Sequence, residues 1–397
     1  MTKISTDILI SGGGVAGLAA AAAFGTQGYS VICVDPAAPV TDEAADGADL
    51  RTTAFLQPSV AVLQAAGLWP RLQPYAAALQ VMRIVDAGGA VEEVRLQRDF
   101  DAGDISDSPF GWNLPNWLLR REMLARLHDL PNVTFLPGTA TTGLLTRLSE
   151  ARVALSDGTQ IAARLVIAAD GRHSTMRQAL QIPVQTLRYG QKALTFAVTH
   201  KIPHHNISTE IHRSGGPFTL VPLPDRDGMP ASSVVWMERG PEVARLAALD
   251  QAGFEAAINA RSCHVLGPLA LVSRRLVWPI IAQYAARMAG EHVALMAEAA
   301  HVVPPIGAQG LNMSFADLAA LLDLAKTHDL GSKAMLDAYQ HKRHADVVAR
   351  VLGVDALNRI SMADAPALRD LRAQALQGLH ALAPLRKTVM KAGLGLR

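Results

Sequence analysis

Only two cysteines occur in the 397 residues, Cys33 and Cys263. Such a pair builds no disulfide framework and no C-x-x-C site, and it suits a reducing cytoplasm. Charge is nearly balanced, since 37 Lys and Arg against 35 Asp and Glu leave +2; nucleic acid as a general partner therefore has no electrostatic support. Although 50% of the residues are hydrophobic, no uninterrupted apolar run of about eighteen residues occurs, so no membrane-spanning helix is expected. The opening MTKISTDILI passes directly into an apolar strand, and we expect no signal peptide. Repeats and low-complexity tracts are missing too, apart from Ala-richness that reports helix. His200, His204, His205 and His212 invite a metal reading. No Cys or acid stands at the usual ligand spacing from the adjacent pair, so no metal site is expected.

What is present is a chain long enough for two or three domains, and one stretch that organises it: DILISGGGVAGLAAAAAFGTQGYSVICVD, Asp7 to Asp35. Ile8 to Ile10 reads as a buried strand, Gly12-x-Gly14-x-x-Gly17 as a turn, Leu18 to Phe24 as helix, and Ser30 to Val34 as a second buried strand. In such a unit Gly12 permits the tight turn, Gly14 lets backbone approach a pyrophosphate, and Gly17 lets helix pack on strand. The free amides at the helix start, around Val15 and Ala16, then bind phosphate. Asp35 at the end of the second strand is placed for a ribose 2′-hydroxyl, which points to FAD or NAD. A lone G-x-G-x-x-G is weak evidence; strand, helix and acid at the right distances make a bound dinucleotide the reading.

Downstream, a polar loop leads to Arg51, which is either a solvated loop residue or a cation near cofactor phosphates. Apolar spacing then predicts a helix from Ser59 to Leu68, and a hairpin joins Val81–Val85 to Val91–Leu96. A helix follows Pro115, with Asn116, Arg120 and Arg121 at its start, and Pro131 closes it. The turn Ser156-Asp157-Gly158 makes a second hairpin, leading into the buried run Leu165 to Ala169. That run ends on Asp170-Gly171 ahead of a helix from Ser174 to Leu180. Ligands collect at such strand ends in open α/β sheets, though an ordinary strand-to-helix turn looks the same. From Tyr189 to Glu238 short strands alternate with Gly and Pro turns, which reads as an inserted antiparallel sheet. A helical stretch Val243 to Ala260 and a strand Leu276 to Ile281 follow. Finally EHVALMAEAAHVVPPIGAQGLNMSFADLAALL gives a strand from His292 to Met296, a rigid Pro/Gly loop, and a helix from Asn312 to Leu322. The loop presents amides at a helix N-terminus, where they stabilise negative charge on a ligand.

GGGVAG with Asp35, then ADGRHSTMR, then AEAAHVVPPIGAQGLNMSFAD resemble, in order and approximate spacing, the FAD-dependent aromatic hydroxylases that include p-hydroxybenzoate hydroxylase. The resemblance covers most of the chain. It implies an α/β fold: a Rossmann-like FAD-binding domain (residues 1–75, 101–183 and 276–345), an inserted antiparallel β-sheet substrate domain (76–100 and 184–275) and a C-terminal helical segment (346–397). It implies that Gly12, Gly14, Val15, Ala16, Gly17 and Asp35 hold the ADP part of FAD and that Asp170 and Gly171 form the family's DG motif. Arg51 and Glu298 would lie near the ribityl and pyrophosphate region, and Pro305, Gly307, Gly310, Leu311 and Asn312 would line the flavin ring. One departure stands out. The family usually has Gly-Asp ahead of Ala-Ala-His, and this chain has Ala297-Glu298. His301 reads as structural.

Asp49-Leu50-Arg51-Thr-Thr-Ala, Leu68-Trp69 and the C-terminal tail look like the ubiquinone-biosynthesis hydroxylases of the UbiH type. This resemblance implies a polyprenylated phenol as substrate, molecular oxygen as co-substrate, a C4a-hydroperoxide of the flavin, and a possible biosynthetic complex. No second G-x-G-x-x-G unit is present, so NAD(P)H would bind transiently or another protein would supply electrons. No side chain is assigned as the catalytic base. In the tail Leu368, Leu371, Ala375, Leu379 and Leu382 recur at helical spacing. From Arg359 to Arg397, seven Lys and Arg against two Asp leave +5. That pattern fits a basic amphipathic segment on the inner face of a membrane or a helix packed on the domain. Two rivals stay open: another flavin oxidoreductase of the same fold acting on a small aromatic, and a non-catalytic flavoprotein scaffold. The Trp-x-Trp-x-Ile-Pro run typical of halogenases is absent.

Overall fold

A computed structural model describes residues 3–89, 91, 93–213 and 215–395. At its centre the strand Lys3–Ser11 lies between Val31–Asp35 and Gln160–Ala168, parallel to both. Val133–Pro137 and Val293–Leu295 extend this parallel core on its two sides, and an antiparallel hairpin, Thr141–Thr146 with Ala151–Leu155, adds to Gln160–Ala168. The runs Ile8–Ile10, Val31–Val34 and Leu165–Ala168 are almost wholly buried, as expected of strands covered on both faces. The helix Val15–Thr26 is buried along its whole length to Gly25. Its alanines and Gly25 let it press between sheet and neighbours: a Cβ on Gly25 would meet Val133 at 2.3 Å.

A second, nine-stranded sheet is built on the long strand Val184–His200, which pairs antiparallel with Met229–Arg239 on one side and Leu276–Ala285 on the other. Pro217–Arg226, Ile207–His212, Val81–Asp86 and Leu96–Asp101 continue it. Strands expected as separate short pieces from Leu194 onward and Leu276 to Ile281 are parts of longer ones. The sheet is antiparallel except where Ile207–His212 meets Val81–Asp86. On hydrogen bonding Leu276–Ala285 belongs to this second sheet.

Other boundaries move for identifiable reasons. The second hairpin strand is Leu96–Asp101, not Val91–Leu96. Val91 and Val94 stand exposed in a loop that Asp86 holds through the Gly88 amide at 3.1 Å and the Arg95 guanidinium at 2.8 Å; residues 90 and 92 lie outside the described residues. The stretch Val243 to Ala260 is two helices, Gly240–Ala247 and Gln251–Arg261, because Asp250 caps the second by accepting from the Gly253 amide at 2.8 Å.

A small sheet of Thr52–Leu56, Gly111–Pro115 and Ala77–Leu79 ties the two large ones together. Asn113 Nδ2 donates to the Pro222 carbonyl at 2.9 Å, and the Thr52 and Ser233 hydroxyls meet at 2.8 Å. The 29-residue helix Lys333–Ser361 is about 43 Å long and spans both halves. Near its start the Tyr339 hydroxyl donates to the Leu295 carbonyl at 2.8 Å, and near its end Asn358 donates to Gln191 at 2.8 Å. Two further helices, Pro366–Ala381 and Ala383–Leu394, form an arm with no buried residue. Among the described residues, no helix is long and apolar enough to cross a membrane.

Candidate cofactor and active site

The three sequence motifs converge because the strands that carry them are neighbours. Lys3–Ser11, Gln160–Ala168 and Val293–Leu295 run parallel side by side, so residues 12–17, 170–171 and 297–298 all emerge at one edge, where open α/β sheets bind ligands. Backbone hydrogen bonds fix this edge: Gly12 donates to Val34 at 2.8 Å, Ala169 to Ser11 at 2.8 Å and Met296 to Ala168 at 3.0 Å.

The glycine turn has the geometry that its chemistry needs. Gly12 sits at φ +108°, and a Cβ there would lie 2.3 Å from the Ala169 carbonyl oxygen. A Cβ on Gly17 would lie 1.8 Å from the Gly12 oxygen, whereas around Gly14 nothing stands within 4 Å. The helix that begins at Val15 and Ala16 has no side-chain cap, leaving its first amides and positive dipole end for an anion. Asp35 accepts from the Gly13 amide at 2.6 Å and the Ala37 amide at 2.9 Å.

The Asp170-Gly171 turn follows. Asp170 Oδ2 accepts from the Met176 amide at 3.2 Å, while Oδ1 is buried with no partner; Gly171 takes φ +81°. Arg177 joins this segment to the third motif, donating to the Ala299 carbonyl at 2.8 Å.

Ala297 adopts φ +55°. A left-handed residue explains why glycine is usual there, and this chain holds an alanine in that conformation instead. Glu298 is exposed on the short turn Ala297–Ala299. Beneath it His301 Nε2 lies 2.6 Å from Asp317 Oδ2, Arg343 donates to Asp317 Oδ1 at 2.8 Å, and the Ala297 amide reaches the same carboxylate at 3.3 Å. His301 therefore anchors the turn from inside and faces no ligand.

The Pro/Gly loop is open: Pro305, Gly307 and Gly310 are exposed, with Gly307 at φ +61° and Ala308 at φ +55°. The helix after it begins at Gln309 rather than Asn312, which puts Gly310, Leu311 and Asn312 in its first turn. Asn312 spends its whole side chain inside the protein. It accepts from the Leu56 amide at 2.9 Å and from Ser59 Oγ at 2.6 Å, and donates to the Ala54 and Ala308 carbonyls. Its side chain clamps the loop to the Thr52–Leu56 strand and has nothing left for a ring.

Arg51 precedes that strand. It pairs with Asp49 through two bonds of 2.8 and 2.7 Å and lies 4.2 Å above the Trp278 ring. Burial opposes its charge, but the bonds and charge of Asp49, with a smaller push from Glu298, hold its pKa above the usual arginine value. The same burial would raise Asp49, yet Arg51, Asn116 and Arg120 carry it below the carboxylate range. Arg120 stands 3.5 Å from Asp49 with its Nε buried and unpartnered. Asp49, Arg120 and Trp278 surround Arg51; the sequence left Arg120 open between cofactor and surface, quoted Asp49 only within a motif, and did not single out Trp278. Arg120 has a faint signal in its position on the helix after Pro115, and Trp278 has none.

These residues fit a flavin dinucleotide: an uncapped helix start, open space at Gly14, and two orphaned buried polar atoms, Asp170 Oδ1 and Arg120 Nε, on the surrounding segments. The four elements define a flavin-binding oxidoreductase. The chain belongs to the FAD-binding domain family, whose profile matches residues 5–353; its cofactor is FAD and it is a flavin-dependent monooxygenase of the p-hydroxybenzoate hydroxylase type. It is similar to the ubiquinone hydroxylase UbiL of Rhodospirillum rubrum, with 32% identity over 98% of this chain and 89% of that protein. It is also similar to the 3-demethoxyubiquinol 3-hydroxylase of Escherichia coli, with 27% identity over the full length of both. In fold it matches p-nitrophenol 4-monooxygenase PnpA of Pseudomonas putida, with TM-score 0.80 and 18% identity over the full length of both chains.

Proposed function

We propose that the protein hydroxylates the aromatic ring of a polyprenylated phenol in ubiquinone biosynthesis, using FAD and molecular oxygen. The observation that carries this is the convergence of the three motif segments on one edge of the parallel sheet, with Arg51 in electrostatic reach of Glu298, together with likeness over nearly the whole chain to ubiquinone hydroxylases. When bound and reduced, FAD supplies the electrons that activate oxygen for transfer to the ring. Gly12, Gly14, Val15, Ala16 and Gly17 bind its phosphates through backbone amides, and Asp35 turns from the Gly13 amide to the adenosine ribose. Asp170 Oδ1, Gly171, Arg51, Arg120 and Glu298 hold the middle of the molecule. Pro305, Gly307, Gly310 and Leu311 offer backbone and apolar surface to the ring, and amides at this helix start favour the negative charge of a reduced flavin. Asn312 acts by fixing the loop.

Ile306 is buried among Ala193, Met237, Ile280 and Val354, so the sheet face nearest the loop is apolar and would help keep water from the reacting ring. Residues 1–75, 101–183 and 276–345 act as the FAD-binding domain, although its strand Leu276–Ala285 pairs into the second sheet; 76–100 and 184–275 act as the substrate domain, and 346–397, which starts within the helix Lys333–Ser361, as the C-terminal segment. Electrons come from NAD(P)H bound transiently or from a protein donor. The protein works in the cytoplasm, at the inner membrane face or in a biosynthetic complex, with the C-terminal arm as the contact.

Purified protein should be yellow and should consume oxygen on addition of a reductant and a prenylated phenol. Colourless protein that still supports quinone synthesis would instead favour a scaffold. Asp35→Ala should weaken FAD retention about ten-fold or more, since a charge-assisted bond is lost; wild-type FAD content after gel filtration would remove the ribose role. Deleting the gene and identifying the accumulated quinone precursor by mass spectrometry tests the pathway.

A further inference from the structure

An open cleft of about 230 Å³ separates the second sheet from the segments that flank Arg51 and Asn116. Its walls are apolar in the larger part, with Leu50 and Trp117 on one side and Ala197, Leu223, Ala231 and Val272 on the other, while the exposed Asp225 also lines it. Of the three hydroxyls that line it, those of Thr52 and Ser233 satisfy each other at 2.8 Å, and that of Ser273 is held by the Ala197 amide at 2.8 Å and the Arg274 carbonyl at 3.0 Å. Charge appears at the side of the cleft, where Arg226 pairs with Glu43 at 3.0 Å. That pair is about 40% exposed on both sides and so is weak enough to open readily.

The cleft lies on the same sheet face as the flavin loop. Along Met229–Arg239 alternate residues share a face, so Ala231 and Ser233 look the same way as Val235 and Met237, and Met237 packs with Ile306. Ser233 and Met237 are four residues apart, about 13 Å along the strand. A ring held beside the loop can therefore send a substituent along this face into the cleft.

We propose that the cleft takes the apolar chain carried by the aromatic substrate, a reading that rests on the hydroxylase function above. A cavity of about 150 Å³ accommodates benzene, so 230 Å³ accommodates about nine carbons, close to two five-carbon isoprenoid units. The remainder of a longer chain leaves past the Glu43–Arg226 pair.

The test uses the FAD-loaded full chain and one phenol ring bearing methyl, prenyl, geranyl or farnesyl chains, with dissociation constants measured by titration calorimetry. Affinity should rise about ten-fold or more for each unit up to geranyl and then level off. Filling the cleft by Ala197→Phe, or by Val272→Phe in the loop should the strand variant fold poorly, should reduce the geranyl-to-methyl affinity ratio to below about three. A flat wild-type series with the phenols still bound and hydroxylated overturns the cleft assignment and leaves the hydroxylase reading standing. A rise of equal size in wild type and filled variants also overturns it, because the chain then lies elsewhere. Failure of every phenol to bind removes the reading and the assignment together.

Discussion

The Gly12–Asp35 unit and the C-terminal arm were both read from apolar patterning, and they fold in opposite senses. In the first, the apolar residues go inside and the helix start at Val15 is left without a side-chain cap. In the arm, Leu368, Leu371 and Leu382 stand 53%, 60% and 59% exposed, while Arg372 and Arg386 turn inward. Arg372 pairs with Asp86 at 3.0 Å, and Asp370 with Arg95 at 2.7 Å. Arg386 pairs with Asp104 at 3.1 Å, and His380 bonds the Asp99 carbonyl at 3.0 Å with its ring on Phe100. Three of the basic residues counted toward a net positive tail, Arg359, Arg372 and Arg386, are thus matched by Asp355, Asp86 and Asp104, while Lys387 and Lys391 are exposed. Helical spacing identifies a stripe. Which stripe faces the protein depends on the surface that receives it, here a sheet edge rich in carboxylates.

The comparison can be broken most severely in the nucleotide half. Asp317→Ala would take from Arg343 its fully buried carboxylate partner, leaving Asp346, and undo the His301 contact, with Asp317, His301 and Arg343 all under about 8% exposed. It should cost about 4 kcal/mol in urea unfolding and release FAD by loosening the Ala297–Ala299 turn. In the arm, Arg372→Ala removes one of two cations on Asp86 and should cost about 2 kcal/mol, with faster proteolysis near residues 362–366. Its pH dependence sharpens the point. Burial would raise Asp86, but Arg95, the Gly88 amide and Arg372 hold its pKa below the ordinary value. A lowered folded pKa stabilises above the unfolded value of about 3.9 and is lost as pH falls through the folded value. The gap between wild type and Arg372→Ala should therefore be full at neutral pH and close below about pH 4.

Smaller effects probe each half in its turn. Ala297→Gly should stabilise the protein by about 1 kcal/mol, because the left-handed backbone at φ +55° penalises a Cβ; an unchanged or lower melting temperature would show that the turn has relaxed around alanine. Leu371→Asp with Leu382→Asp should change stability by under about 0.5 kcal/mol, yet should reduce co-sedimentation with anionic vesicles if the outward leucines meet lipid.

Much of the cofactor edge was legible before any coordinates. Gly12, Gly14, Gly17, Asp35, Asp170 and the Pro304–Gly310 loop are local signals: each records a backbone conformation or close approach that few residues tolerate, and short spacings along the chain carry it. Asp49, Arg120, Trp278 and the Thr52–Ser233 contact were not legible as a group, because Asp49 and Arg120 lie 71 residues apart, Thr52 and Ser233 181, and Arg51 and Trp278 227, and any polar or aromatic residue satisfies local rules equally well. Asn312 was read as lining the flavin ring; that its side chain also ties the loop to the Thr52–Leu56 strand was not legible, because those partners lie about 250 residues away. The longer strands and the split of Val243 to Ala260 show the same limit, since pairing partners and one cap set the ends.

The chain on its own determined the strand-turn-helix unit, the neighbouring motifs and hence the class of prosthetic group, because these depend on φ angles, amide exposure and the absence of side-chain bulk at single positions. Tertiary structure alone decided which face of the arm points outward, how Arg51 is oriented, and where a cleft opens between the second sheet and the Leu50–Thr52 segment. Those outcomes depend on matching two surfaces, and the energy of a match belongs to neither segment separately.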